Sequence, residues 1–383
     1  MNNGLSLYFH FPFCKEKCFY CNFNSYSHCE HLFSGYFQAL LQEVERYLTD
    51  THQIVKSVYF GGGTPSYFPC EYLIELLQYI KKSFLIRPET EITMEINPGA
   101  IAIDDLIHLK NAGVNRLSIG LQAAQDNLLK TIGRIHTWSD FLALYEIIRE
   151  IGFENVGVDL IFGLPGQSLN DWRETLEAVG ALKIEHISSY GLHLEPGTSL
   201  ERMVTEGACQ MPDEDLSVAM MKLAMEYLPK RGFEHYEISN YAKSGFRSVH
   251  NLNYWMGGDY LGFGAGACST RYGERWSNLK SPEEYIQNIQ EHSSVVASRE
   301  TIDKKTAMAE RIMLGLRLID GINLRDFRKD FGVDLLAKAG PELMSLTGQG
   351  VLVVENGFLR LSIPGILVSN QVISRLFNCL EEN

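Results

Sequence analysis

The sequence predicts an α/β fold, a partial barrel of six strand-helix units followed by a smaller α+β region, and two observations predict it. Between Leu5 and Leu194, short runs rich in Val, Ile, Phe and Tyr alternate with stretches whose apolar residues recur at helical spacing. Beyond Glu195 that rhythm breaks, and helices with a turn-linked strand pair take its place. Such alternation is what a parallel sheet covered by helices requires, because each parallel strand needs a crossover to return the chain to the same end of the sheet.

Strands are expected at Ser6 to Phe11, Val55 to Phe60, Glu91 to Ile96, Arg116 to Leu121, Val156 to Phe162 and His186 to Leu194. Helical patterns at Tyr36 to Leu48, Leu73 to Phe84, Leu106 to Ala112, Phe141 to Ile151 and Trp172 to Leu182 fill the intervals. Together they form a TIM-like partial (β/α)6 barrel over residues 1–200, in which chemistry gathers at the carboxyl ends of the strands. Residues 201–300 read as an extension, with a helix near Asp215 to Leu228 and then a loop-rich stretch holding Gly257, Gly258, Gly262, Gly264 and Gly266. In residues 301–383 a helix ends near Leu318 and a short one covers Leu324 to Phe331. Val351 to Val354 and Phe358 to Leu361 then flank Asn356-Gly357, the signature of a two-residue hairpin. Helices followed by a hairpin give this α+β region the look of a winged helix.

Composition narrows the function classes. The 383 residues are 45% hydrophobic and 21% charged, an ordinary globular mixture. A formal charge of -13 opposes a phosphate backbone, so nucleic acid is excluded as a partner and the winged-helix-like region is assigned to packing or docking. No stretch approaches the roughly 20 apolar residues of a transmembrane segment, and a cytoplasmic location is expected. The eight cysteines are too sparse for a disulfide scaffold, yet three crowd into one short segment.

That segment is Cys14-Lys-Glu-Lys-Cys18-Phe-Tyr-Cys21, directly after the first strand. Thiolates suit zinc or iron-sulfur centres. Structural zinc sites take four ligands, and the next thiol, Cys29, follows only after Asn, Ser and aromatic residues. Three thiols on a cubane cluster leave one iron open to an exchangeable ligand; unconnected or zinc-binding cysteines are the alternative on spacing alone. Gly61, Gly62 and Gly63, after the second strand, let the backbone approach a ligand closely, or simply make a tight turn. Tyr8 and Tyr20 taken alone suit core packing, Glu95, Gln122, Arg134 and Asp159 suit caps or ion pairs, and His250 beside aromatics suits a structural hydrogen bond.

The Cys-x3-Cys-x2-Cys spacing resembles the radical S-adenosylmethionine (SAM) superfamily. Ser6-Leu-Tyr-Phe-His-Phe-Pro-Phe-Cys14, Gly61-Gly-Gly-Thr-Pro65, Asn115-Arg-Leu-Ser-Ile-Gly-Leu-Gln122, Gly133-Arg-Ile-His136, Asp159-Leu-Ile-Phe-Gly-Leu-Pro165, Glu195-Pro-Gly-Thr198 and His250-Asn-Leu-Asn-Tyr-Trp255 together resemble the HemW family. Its members are heme-chaperone-like relatives of the oxygen-independent coproporphyrinogen III oxidases. The resemblance implies a radical SAM barrel with a [4Fe-4S] cluster on Cys14, Cys18 and Cys21. It implies SAM contacts from Gly62, Gly63, Thr64, Tyr20, Tyr8 and Glu95, and it matches Gln122, Arg134 and Asp159 to residues that hold a second SAM in the oxidases. The oxidases carry a fourth cysteine where this chain has Phe23, which turns the expectation from decarboxylation toward heme handling. The implied function is heme binding and transfer to an acceptor protein, with an electron donor for the cluster and His250 as heme ligand. The alternative is a radical enzyme, oxidase-like or methylase-like, on a porphyrin-related substrate. One departure stands out: the family's Gly-Ala-Gly-Ala-His reads Gly264-Ala-Gly-Ala-Cys268 here.

Overall fold

The computed structural model describes residues 4–48 and 53–381, the last four by backbone alone. Six parallel strands build the centre: β1 (Gly4–Phe11), β2 (Ile54–Gly62), β3 (Leu85–Ile96), β4 (Arg116–Gln122), β5 (Asn155–Phe162) and β6 (His186–Gly191). They are joined by α1 (Phe33–Glu45), α2 (Cys70–Ser83), α3 (Ile103–Ala112), α4 (Asp126–Thr131), α5 (Trp138–Ile151) and α6 (Leu169–Gly180). The expected α/β part-barrel is therefore present. Local signals fix several boundaries: Thr137 and Ser168 form capping boxes with Asp140 and Asp171 at the starts of α5 and α6. The sixth strand ends at Gly191, three residues earlier than its apolar run suggests.

Residues after 200 extend the same sheet instead of forming a loop-rich appendage. Following α7 (Ser199–Thr205) and α8 (Glu214–Lys230) come β7 (Glu234–Glu237) and β8 (Asn240–Ala242), then α9 (Val249–Trp255). The glycine-rich stretch carries β9 (Tyr260–Phe263) and leads into β10 (Cys268–Arg271) and β11 (Glu274–Asn278). Then come α10 (Pro282–Gln290) and β12 (Val296–Thr301). The sheet order is β12-β11-β10-β9-β1-β2-β3-β4-β5-β6-β8-β7, with β9 parallel to β1 and the outer strands antiparallel. The expectation of loops here fails because these strands are short and β12 is largely exposed, so neither length nor apolar alternation marks them.

Period-two alternation separates the faces of the central strands. Leu5, Leu7 and Phe9 on β1, Val58 and Phe60 on β2, and Leu117, Ile119 and Leu121 on β4 are buried in one continuous core with Leu40, Leu76, Leu109, Ile148 and Leu176 of the helices. The alternate positions are polar: Ser6 and Tyr8, Ser57 and Tyr59, Thr93 and Glu95, Arg116 and Ser118, Asp159, Ser188. Register aligns them, with Tyr8 beside Tyr59, Glu95 beside Ser118, Asp159 beside Ser188. Barrel interiors are normally filled by branched apolar side chains; a polar interior signals a ligand.

A second core gathers Met308, Ile312, Phe327, Leu343, Leu352, Leu359 and Leu376. It is built from α11 (Lys304–Gly315), α12 (Leu324–Phe331), α13 (Leu335–Gly348), α14 (Ile363–Leu367) and α15 (Ser369–Glu381), with β13 (Ile322–Asn323), β14 (Leu352–Glu355) and β15 (Phe358–Leu361) in the order β13-β15-β14. Asn356 and Gly357 both take positive φ, 51° and 80°, as a two-residue hairpin turn requires. Backbone bonds from Ile238 to Arg317 and from Ile319 to Tyr236 tie this unit to the barrel edge. Among the described residues no helix is long and apolar enough to cross a membrane.

Candidate cluster and cofactor site

The thiol loop is anchored at several points. Phe13–Cys14 pairs with Tyr26–Ser27, Tyr26 donates its N–H to the Pro12 carbonyl, and Cys21 N–H closes a turn onto Cys18. Phe19 donates to the Ile132 carbonyl and accepts from Leu200 N–H, while Lys17 Nζ donates to the carbonyls of Phe23 and Ser25, each at 3.1 Å. All three thiols are free and line one cavity of about 400 Å³. Burial raises the Cys14 and Cys21 thiols above their ordinary range, and a hydrogen bond from Thr64 works against it at Cys14.

The same cavity is lined by Tyr20, Gly62, Gly63, Thr64, Glu95, Gln122, Arg134 and Asp159, so eight of the ten other expected site residues meet the thiols there. Glu95 accepts from Tyr59 OH at 2.8 Å and Gly62 N–H at 3.2 Å; burial is the main cause lifting its carboxyl from 4.5 to about 7. Asp159 accepts from Ser118 Oγ at 3.1 Å and is also raised by burial. Gln122 sits at a bulge of β4 with φ of 77°, a conformation non-glycine residues adopt at a cost and one that recurs at functional sites. Arg134 donates to Asn97 Oδ1 at 2.7 Å, to the Gly120 carbonyl and toward Cys18 Sγ at 3.6 Å.

Two expected residues are placed elsewhere. Tyr8 stands behind the cavity wall, its hydroxyl 3.0 Å from His10 Nδ1 and its ring stacked on Tyr59. His250 lies on α9, 1% exposed, with Nδ1 2.9 Å from Ser57 Oγ, Nε2 2.8 Å from Tyr254 OH and its ring stacked on Tyr59. An axial heme ligand needs an unshared nitrogen lone pair facing open space. Both ring nitrogens of His250, the residue expected as heme ligand, are engaged by interior side chains in this structure. Burial lowers its pKa to about 3, keeping the ring neutral. The Glu91 carboxylate accepts from the N–H groups of Val249 and His250, both at 3.0 Å, and pins the start of α9. Its neighbour Asn251 does line the cavity.

Residues missed by sequence reasoning complete the walls: Asn97, Arg116, Ser118, His136, Ser188 and Tyr190. The signal for Ser118 and Ser188 is the polar alternation inside apolar strands; Asn97 follows the last residue of β3, a carboxyl-end position.

The donor set fits an iron-sulfur cluster bearing an exchangeable ligand. Three soft thiols face one cavity. The glycine turn is a close backbone cradle: a Cβ on Gly63 would lie 2.7 Å from the Phe13 carbonyl oxygen and 3.0 Å from Cys14 Sγ. Arg134 Nε, on a residue that lines the cavity, is a buried polar atom without a partner.

Residues 8–179 match the Radical SAM superfamily and residues 302–368 the HemN C-terminal domain. The chain is 35% identical to the heme chaperone HemW of Bacillus subtilis (strain 168), over 96% of this chain and 97% of that one. It is 32% identical to the heme chaperone HemW of Lactococcus lactis subsp. lactis (strain IL1403), over 97% and 96%. Radical S-adenosyl methionine domain-containing protein 1, mitochondrial, of Danio rerio is 31% identical over 98% of this chain and 87% of its own. The solved structure of coproporphyrinogen III oxidase (HemN) from Escherichia coli shares the fold with a TM-score of 0.85 at 22% identity, covering 99% of this chain and 90% of that one. With near-full-length identity above 30% to several heme chaperones of one kind, this chain belongs to the HemW family of radical SAM proteins.

Proposed function

We propose that this protein binds heme and passes it to an acceptor protein, and that it carries a [4Fe-4S] cluster on Cys14, Cys18 and Cys21 with SAM beside it. The observation that carries the heme reading is the near-full-length likeness to relatives named heme chaperones. The cluster and SAM reading is carried by the convergence of the three thiols with Gly62, Gly63, Thr64 and Glu95 on one cavity. When bound, the cluster and SAM supply one-electron chemistry, for which an electron donor is required.

The chain's own residues bind and orient. Gly62 and Gly63 offer a backbone cradle, Glu95 a carboxylate for a cationic ligand, and Tyr20 an aromatic wall; Gln122, Arg134 and Asp159 supply further polar contacts. A volume of about 400 Å³ lies at the lower end of small-molecule sites. In this reading heme docks at the cavity mouth. Phe23 and Ile135, 64% and 56% exposed, offer apolar surface there, Phe23 standing where the oxidases have a fourth cysteine.

The test is anaerobic reconstitution followed by heme titration and assay of 5'-deoxyadenosine and porphyrin products. Stoichiometric heme binding, transfer to an apo-acceptor and no porphyrin conversion are expected. Conversion of coproporphyrinogen III would establish the enzyme reading, and absence of heme binding would refute the chaperone reading.

A further inference from the structure

Beside the thiols, on the wall of the same cavity, side chains far apart in sequence form a continuous run of hydrogen-bond donors. Arg134 donates from Nη1 toward Cys18 Sγ at 3.6 Å and from Nη2 to Asn97 Oδ1 at 2.7 Å. Asn97 Nδ2 donates to Thr64 Oγ1 at 3.0 Å, and Thr64 Oγ1 donates to Cys14 Sγ at 3.5 Å. The direction of this run is forced. A guanidinium only donates, so Asn97 must turn its carbonyl oxygen to Arg134 and its amide hydrogens to Thr64. The Thr64 oxygen is thereby used as an acceptor, and its single proton is left for the sulfur. One cation is thus connected, always through donors, to two of the three thiols. The bond from Arg134 to the Gly120 carbonyl holds the guanidinium in place.

Hydrogen bonds to the sulfurs are among the features that set the reduction potential of an iron-sulfur cluster, because they stabilise the extra negative charge of the reduced state. We propose that Arg134, Asn97 and Thr64 form a donor clasp that raises the reduction potential of a cluster held by Cys14, Cys18 and Cys21, with Asn97 the positioning residue that sets the clasp's direction. The proposal rests on the assignment of the cluster to those thiols. It gives Asn97 a role that does not depend on touching SAM.

Asn97→Asp tests the direction, since a carboxylate of nearly the same shape accepts from both neighbours and draws the Thr64 proton away from Cys14. Thr64→Val removes the donor at constant shape, and Thr64→Ser keeps it. Wild type and variants, reconstituted anaerobically and matched for iron and sulfide content, are titrated potentiometrically without SAM, with the electron paramagnetic resonance signal of the reduced cluster as readout. Asn97→Asp and Thr64→Val are expected to move the midpoint to more negative potential, with Thr64→Ser close to wild type. Equal potentials in all four proteins overturn the clasp, as does a shift in Thr64→Ser as large as that in Thr64→Val. If Asn97→Asp retains no iron, the Thr64→Val and Thr64→Ser pair carries the test. A wild-type protein that takes up no cluster overturns the cluster assignment itself, and the clasp with it.

Discussion

The proposed contact between Glu95 and SAM predicts binding that depends on pH in a range where ordinary carboxylates are silent. The Glu95 carboxyl, at the end of β3, is held between Tyr59 OH and Gly62 N–H. Burial raises its pKa from 4.5 to about 7; the nearby Asp159 adds to the rise, and the hydrogen bonds from Tyr59 and Gly62 oppose it. With a pKa of about 7, roughly one tenth of the molecules carry an ionised Glu95 at pH 6 and about half at pH 7. A cationic ligand that binds the ionised form alone therefore binds about fivefold more tightly at pH 7 than at pH 6. A carboxyl near its ordinary pKa of about 4.3 would give almost no change. The window stops at pH 7 because an α-amino group, with pKa about 7.7 to 8.0, stays protonated below it. Calorimetric titration of reconstituted protein with SAM at the two pH values measures the ratio, and Glu95→Gln is expected to bind more weakly with no slope. A wild-type ratio near one, or a Glu95→Gln protein that keeps the slope, would rule out Glu95 as the titrating contact. Folding stability follows with the opposite sense. The folded state holds a proton that the unfolded chain releases between pH 4.5 and about 7, so stability present at the acid end is lost as pH rises through that window, by at most about 3 kcal/mol for Glu95. Glu43 and Glu237, both raised to about 7 mainly by burial, act in the same direction.

Glu43 accepts from Gly264 N–H at 2.8 Å and from Asn278 Nδ2 and Tyr285 OH at 2.7 Å. Glu43→Ala strands three buried donors at about 1 to 3 kcal/mol each, so urea denaturation should register a loss of about 4 kcal/mol; a loss under about 1 kcal/mol contradicts this account. His250→Ala removes the bonds to Ser57 and Tyr254 and the packing on Tyr59, at about 2 to 4 kcal/mol. The absorption bands of the heme complex should stay in place in this variant, and altered bands with unchanged stability would identify His250 as a ligand. Gly63→Ala drives a Cβ into the Phe13 and Phe11 carbonyls, at 2.7 and 2.9 Å. Reconstituted protein should then hold little iron while circular dichroism stays native; full iron content would show that the cradle can give way.

The features legible in the sequence alone are local. Cys14, Cys18 and Cys21 fall within eight residues, so their spacing is legible without knowing where the chain goes next. The six central strands and their helices announce themselves through periods of two and 3.6 that need no partner to be read. The Asn356-Gly357 turn is equally self-contained. The remainder depends on neighbours remote in sequence. The strands β7 to β12 are too short or too exposed to carry a pattern, and they exist because the edges of a sheet built elsewhere accept their hydrogen bonds. The cavity is assembled from the carboxyl ends of different strands, so Asn97 acquires meaning only when Thr64 and Arg134 arrive on either side of it. His250 shows the same limit from the other direction. Its motif suggests a ligand, but Ser57, nearly two hundred residues earlier, occupies one ring nitrogen and Tyr254 the other. A histidine's chemistry is set by which lone pair is left free, and that is a property of the packed interior.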